Sequence, residues 1–346
     1  MEPIFIVLII FGVILFFFFV CYLLGVLLLK TSFKREDLPE KSFYLNYDEF
    51  KDRYPRKEFS FKSKKNNLAG YIYGCENDNT IVYVHGMCPG HTGYLSDIIY
   101  LVDKGYKVIT YDYTATGKSE GKYFNGLAQQ KYDLTSLFNY LKNNDEYKNL
   151  SFDLYGHSMG GYAVGVCINK YENIKRVVSI SGFDTPHSFL YHVSSVKFGK
   201  FKAMVIYFPI FVACLFKLGF SFNEKASKNI NNSNKDIFII HGNEDETVSL
   251  KDSIYKKIEK SNHKNIKSLL ITDPIHNGHN SIIASTDCVK YQQKQMDYYK
   301  EQLDKTKDNK KAYTLFLENT DAHKFNVAND KLMDIIIKFY RNGINE

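Results

Sequence analysis

The sequence predicts an α/β fold with a mainly parallel sheet of eight strands and helices on both faces. Short apolar, β-rich runs recur from residue 59 to residue 272. Stretches with helical spacing separate them, so strand and helix alternate. The runs are apolar at consecutive positions, the pattern of parallel strands buried on both faces. Composition agrees: 346 residues, 45% hydrophobic and 24% charged, can build a sizeable core and do not describe a disordered chain.

In chain order, residues 4–29 come first, 26 positions without a charge. As a helix they would run roughly 39 Å, at about 1.5 Å per residue, against about 30 Å of hydrocarbon. Residues 1–30 therefore read as an N-terminal transmembrane anchor. A cleaved signal peptide fits worse: no basic side chain precedes the run, the run is too long, and no A-x-A site follows. Lys30, Lys34, Arg35 and Lys41 follow the span, and the positive-inside tendency places the remaining chain on the cytoplasmic side. Residues 31–58, charged and mixed, read as a linker to a single domain over 59–346.

Within that domain, 59–63 and 68–75 form a predicted hairpin with Asn66-Asn67 as its turn. Further strands are expected at 80–84, 106–112, 151–155, 176–181, 236–240 and 266–272. Leu134, Leu137, Phe138 and Leu141 share a helical face, as do Leu250, Ile254 and Ile258. A final helix over about 328–340 carries Leu332, Ile336 and Phe339 on one side. Two segments break the alternation. Residues 184–235, after the sixth strand, contain the apolar stretch 203–216, interrupted only by Pro209. Residues 281–327 are charged and Tyr-rich and read as a helix plus a loop.

Several function classes drop out. Six cysteines without a CxxC pair describe neither a disulfide scaffold nor a structural zinc site. A net charge of +7 without a recognition motif gives no reason to expect nucleic acid.

The strongest chemical signal is Gly156-His157-Ser158-Met159-Gly160, placed after a strand and before a helical stretch. A G-x-S-x-G turn in that setting reads as a nucleophile elbow: Ser158 is strained, and side chains at Gly156 or Gly160 would clash with the neighbouring strand and helix. The Met159 N–H then lies at a helix N-terminus, facing a developing oxyanion. A nucleophilic serine needs a base and an orienting acid, which follow it in chain order, each past a strand. Asp245 lies beyond the seventh strand and His279 beyond the eighth. Asp245 is preferred to Glu244, read as a solvated loop charge, and to Asp184. His279 is preferred to His276 because the preceding glycine lets a short loop turn the imidazole towards the serine. His263 and His323 read as surface residues. The second oxyanion donor is expected in the loop after the third strand, at the backbone N–H of Met87, whose side chain points elsewhere. His85 there reads as structural, and Cys88 is not expected to act as the nucleophile.

These residues resemble the α/β-hydrolase superfamily, in the branch of monoglyceride lipases, lysophospholipases and serine aminopeptidases. Four motifs carry the resemblance: His85-Gly86; Asp112 with Gly117-Lys118-Ser119-Glu120-Gly121; Gly156 to Gly161; and His241-Gly242 with Asp245, then Gly278-His279. The second departs from the family pattern at Ala115, where a glycine is usual, and Asp112 is structural. The resemblance implies the fold, the triad Ser158–His279–Asp245, and a cap inserted at about 184–235. The segment 281–327 departs from the compact family ending.

The cap's bulky side chains, Phe201, Val205, Phe208, Phe211 and Phe216 among them, are read either as its own core or as an acyl-chain tunnel or membrane-dipping face, flanked by Lys202 and Lys217. At fourteen residues the stretch is short for a second span. The expected activity is cleavage of lipid-like carboxylic esters, of monoacylglycerol or lysophospholipid type, without metal or organic cofactor. The rivals are a serine peptidase, which calls for an acidic group in the cap, and a non-catalytic binding protein of the same fold.

Overall fold

The computed structural model describes residues 3–35, 41–261 and 263–344. Residues 36–40 of the expected linker and 345–346 at the end of the domain lie outside the described residues.

The chain starts with helix α1 (Pro3–Ser32). Strands β1 (Arg56–Ser63), β2 (Asn66–Tyr73) and β3 (Asn79–Val84) lead to α2 (Leu95–Asp103), β4 (Tyr106–Tyr111), α3 (Gln129–Asn143) and β5 (Phe152–His157). Then come α4 (Met159–Cys167), β6 (Ile174–Ile180), and the cap helices α5 (Pro186–Phe198), α6 (Lys200–Leu218) and α7 (Ala226–Asn231). The chain ends with β7 (Asp236–Gly242), α8 (Ile254–Ile258), β8 (Ile266–Ile271), α9 (Thr286–Thr306), α10 (Asn309–Asn319), α11 (Ala322–Phe325) and α12 (Asp330–Asn342).

The eight strands form one sheet in the order β1-β2-β4-β3-β5-β6-β7-β8. Only β2 runs antiparallel to its neighbours, β1 and β4. Burial on both faces explains why the strands read as unbroken apolar runs. Val82, Val84, Ile237 and Ile239 pack into the core under α3 and α4, while Ile81, Tyr83, Phe238 and Ile240 pack into the core under α2 and α12. The hairpin turn differs from expectation. Ser63 pairs with Asn66 and Lys62 with Asn67, so both asparagines belong to β2 and the turn is Lys64-Lys65, with Lys64 at φ 52°. Glu120 holds Asn67 in the strand by accepting its backbone N–H at 2.8 Å.

In the second core, the Tyr83 and Tyr155 rings stack at 4.5 Å, and their hydroxyls donate to Asp97 Oδ2 at 2.8 and 3.4 Å. Burial pushes the Asp97 carboxyl up to about 7, against the lowering effect of these hydroxyls. An unfolded aspartate titrates near 3.9, so the folded state binds the extra proton between about pH 4 and 7, and its stability falls as pH rises through that window. Asp97→Asn keeps an acceptor without an ionisation. Its melting temperature relative to the parent is expected to rise from pH 5 to pH 8; an offset that does not change with pH would contradict this.

Helix α1 divides into two parts. Its first eighteen described residues, 3–20, are exposed throughout. They would span about 27 Å at about 1.5 Å per residue, close to the hydrocarbon thickness. From Cys21 onward the helix packs on the domain instead of standing clear of it: Cys21, Gly25, Leu29 and Phe33 are buried at every fourth position. Gly25 meets α6, a continuous helix of 19 residues despite Pro209 and longer than the apolar stretch that marks it, while Phe33 packs on Phe124. A Cβ on Gly25 would overlap the carbonyl oxygen of Pro209, so only glycine allows this approach. The rings of Phe17 and Phe18 meet Phe208, and Tyr22 meets Phe216. Gly25→Leu is expected to loosen α6. Overpacking of about 1–3 kcal/mol would raise local opening roughly 5- to 150-fold. Faster alkylation of the buried Cys214 in detergent, resolved by peptide mapping, is the readout, and an unchanged rate would contradict the packing.

The segment after α1 is also tied down. Arg35 N donates to the Lys122 carbonyl at 2.9 Å and Phe124 N to the Phe33 carbonyl at 3.0 Å, and the Arg35 guanidinium donates to the carbonyls of Gly117 and Ser119. Residues 281–327, expected as one helix and a loop, are three helices. Asp308 and Asp321 cap α10 and α11 by accepting backbone N–H groups two and three residues on.

Candidate active site

The site lies at the carboxyl ends of the parallel strands. β5 ends at His157, and α4 begins two residues later, leaving Ser158 alone at the turn with φ 57° and ψ −118°. That conformation is strained for a serine. It persists because the flanking glycines let the elbow close: a Cβ on Gly160 would overlap the carbonyl oxygen of Val84, and one on Gly156 would overlap that of Gly160. Ser158 N donates to the carbonyl of Ile180 at 2.9 Å, fastening the turn to β6.

The structure brings Ser158, His279 and Asp245 into one hydrogen-bonded line. Ser158 Oγ lies 2.9 Å from His279 Nε2. His279 Nδ1 lies 2.9 and 2.8 Å from the two carboxylate oxygens of Asp245. With Nδ1–H donating to Asp245, Nε2 is left to accept the serine proton. Asp245 also accepts the backbone N–H groups of Thr247 and Val248 at 2.9 and 2.7 Å. Burial opposes its ionisation, but the hydrogen bond from His279 and its neighbours hold its carboxyl below the usual value.

The other candidates do other work. His276 Nδ1–H donates to the Ser281 carbonyl and its Nε2 then accepts from the Thr286 hydroxyl at the start of α9, both at 3.0 Å. Glu244 is exposed. Asp184 closes the cap's base, accepting the Ser227 N–H at 2.8 Å. His263 is exposed and His323 bonds Glu49 at 2.8 Å. His85 is fully buried, and burial pushes its imidazole down to about 4. The Cys88 thiol, pushed up to about 12 by burial, is no nucleophile at neutral pH.

Met159 is the first residue of α4, and Met87 lies in the loop after β3. Among the described residues neither backbone N–H is taken up by another group. The Met87 side chain, expected to point elsewhere, is 55% exposed and faces a cavity. Asp112 is a structural hub. It accepts from the N–H and Nδ1 of His91, each at 2.8 Å, from Tyr71 at 2.8 Å and from Lys118 N at 2.9 Å. These partners, against the opposing effect of burial, hold its carboxyl far below the usual range. In the same loop Ala115 sits at φ 66°, a left-handed conformation better suited to the glycine it replaces.

Two residues support His279 without having been singled out in the sequence. His157 Nε2–H donates to the His279 carbonyl at 3.0 Å, and its Nδ1 accepts from the Tyr94 hydroxyl at 2.8 Å. Burial, with His279 close by, pushes His157 down to about 3, so it stays neutral. Glu246 accepts the His279 N–H at 3.0 Å. Gly278 does not adopt a left-handed turn; a Cβ there would come 3.0 Å from that Glu246 carboxylate. The only sequence sign of either role is adjacency, His157 to Ser158 and Glu246 to Asp245.

The family described as "Serine aminopeptidase, S33" matches residues 76–204. The chain is 33% identical over 112 residues to 2-hydroxy-6-oxononadienedioate/2-hydroxy-6-oxononatrienedioate hydrolases of Escherichia coli strains E24377A and HS. It spans 37% of their length and 31% of its own is matched. Among solved structures, the Pyrococcus furiosus esterase Pf2001 superposes with a TM-score of 0.53 and 20% identity, over 71% of this chain and 91% of the esterase. Pyrococcus horikoshii acylaminoacyl peptidase superposes with a TM-score of 0.50 and 18% identity, over 68% of this chain and 40% of the peptidase.

Proposed function

From its α/β-hydrolase fold, we propose that this chain is a membrane-anchored serine hydrolase that cleaves carboxylic esters of lipid-like substrates. The observation that carries the proposal is the Ser158 Oγ to His279 Nε2 distance of 2.9 Å, with Asp245 on the opposite ring nitrogen. In the reaction, Ser158 Oγ attacks the ester carbonyl while His279 Nε2 takes its proton. The Met87 and Met159 N–H groups receive the oxyanion. Collapse of the tetrahedral intermediate breaks the bond to the alkoxy oxygen, which leaves as the alcohol with the proton from His279. Water then attacks the acyl-enzyme by the same route and releases the acid. Every proton is carried by His279, and the steps call on no metal or organic cofactor.

Three features support a substrate drawn from the bilayer. Helix α1 is long, apolar and exposed over its first half. The adjoining cap helix presents Phe201, Met204, Val205 and Phe216, each more than half exposed, beside it. An apolar patch of this kind is characteristic of interaction with a membrane or partner. Lys30 in the last turn of α1, with Lys34, Arg35 and Lys41 after it, favours a cytoplasmic domain. The peptidase reading is weaker because the cap's carboxylates are engaged: Glu224 pairs with Lys131 at 2.5 Å and Asp184 binds a backbone N–H.

The test is hydrolysis of p-nitrophenyl esters from acetyl to palmitoyl by the full chain in detergent, beside aminoacyl arylamides. The full chain is needed because α1 packs on the cap. Ester cleavage preferring medium or long chains supports the proposal. Cleavage of the arylamides alone would replace it with the peptidase.

A further inference from the structure

A cavity of about 540 Å³ lies between the loop after β3 and the helices of residues 281–327, outside the cap, for which an acyl tunnel was one of the readings. Its size falls within the range of about 300–1,000 Å³ usual for small-molecule sites. At one end are Met87, which carries one proposed oxyanion donor, and Asn280, the neighbour of His279. Gly86, the residue before Met87, lies next to the nucleophile: a Cβ placed on it would come 3.1 Å from Ser158 Cβ. The far wall is apolar, with Met296 and Tyr299 from α9 and Phe316 from α10.

The wall is fixed before any ligand arrives. Phe43, from the segment preceding β1, packs its ring on Phe316 and Phe325 at 6.0 and 5.0 Å. The Asn326 amide donates to the Phe43 carbonyl at 2.6 Å. Ser285 N donates to the Val327 carbonyl at 2.9 Å, closing the extension onto its own start. A preformed pocket lined largely by thioether and aromatic groups, whose carboxyl, Asp97, is taken up by the Tyr83 and Tyr155 hydroxyls, suits a flexible apolar chain.

We propose that the 281–327 extension builds the acyl pocket of this enzyme, so that the fatty acyl chain of the ester runs from Ser158 past Met87 towards Met296 and Phe316. This rests on the serine-hydrolase reading above. It makes the extension the determinant of chain length and leaves the cap helix to the membrane.

The test uses the full 346-residue chain in detergent and the ratio of kcat/KM for the palmitoyl over the acetyl p-nitrophenyl ester. Met296 is 41% exposed, so a larger side chain there enters the cavity without burying itself in the core. Met296→Trp is expected to lower the ratio roughly tenfold or more, mainly through KM for the long ester. Met296→Ala is expected to move the preferred chain length upward. Phe211→Ala, in the cap, should leave the ratio where it is. A ratio that responds to Phe211→Ala and not to Met296→Trp would overturn the assignment in favour of the cap. Rates of Ser158 labelling by ethyl and hexadecyl fluorophosphonates separate the two levels. Labelling that is indifferent to Met296→Trp for both probes sinks the pocket alone. No labelling of Ser158 in the parent protein sinks the serine-hydrolase reading and the pocket with it.

Discussion

Ser158→Ala is expected to lower kcat for ester hydrolysis on the order of 10⁶-fold, the loss that follows removal of the nucleophile from a serine triad. No neighbouring group replaces it. The Cys88 thiol is held protonated by burial, and His85 is turned into the loop, its Nδ1 2.8 Å from the Gly86 carbonyl. The substitution should spare the fold, because alanine removes only an oxygen that hydrogen-bonds His279. It also keeps a Cβ at φ 57°, so the backbone strain is unchanged. Equal melting temperatures with lost turnover would separate chemistry from folding. Turnover kept in Ser158→Ala would assign the reaction to another group.

Asp245→Asn is expected to lower kcat about 10⁴-fold with little change in KM. The carboxylate takes the Nδ1–H of His279, which leaves Nε2 free to accept from Ser158. An asparagine that keeps the N–H groups of Thr247 and Val248 on its oxygen turns its own NH₂ towards the ring. His279 must then carry its proton on Nε2, and the base is lost. Because Glu246 and His157 hold the backbone of His279 from either side, the ring stays in place and the effect falls on kcat. A loss of under tenfold would mean that Asp245 does not set the tautomer. Glu246→Gln, which keeps an acceptor for the His279 N–H, should cost far less.

Much of the fold was legible in the sequence because the sheet is buried on both faces, so its strands stand out as apolar runs and their ends fall within a few residues of expectation. The elbow was legible because one strained residue between obligatory glycines leaves a local trace. The hairpin turn was not: asparagine is the usual left-handed residue, but Asn67 is held in β2 by Glu120, more than fifty positions away, and the turn fell to Lys64. The contact between α1 and α6 was hidden for a similar reason. Gly25 looks like any small residue in an apolar helix until Pro209 lies against it. Capping aspartates at 308 and 321 marked α10 and α11 locally, yet the charged, Tyr-rich composition around them reads as loop. The cavity combines residue 43 with residues beyond 280, a meeting that periodicity along the chain does not encode.

Mapping the adduct of a fluorophosphonate on the full 346-residue chain by peptide mass tests the central claim most directly, since it reports nucleophilicity at one atom without reference to any substrate. The account predicts a single adduct on Ser158, absent from Ser158→Ala and formed far more slowly in Asp245→Asn. A folded protein that carries no adduct on Ser158, or carries it on a different residue, would contradict it.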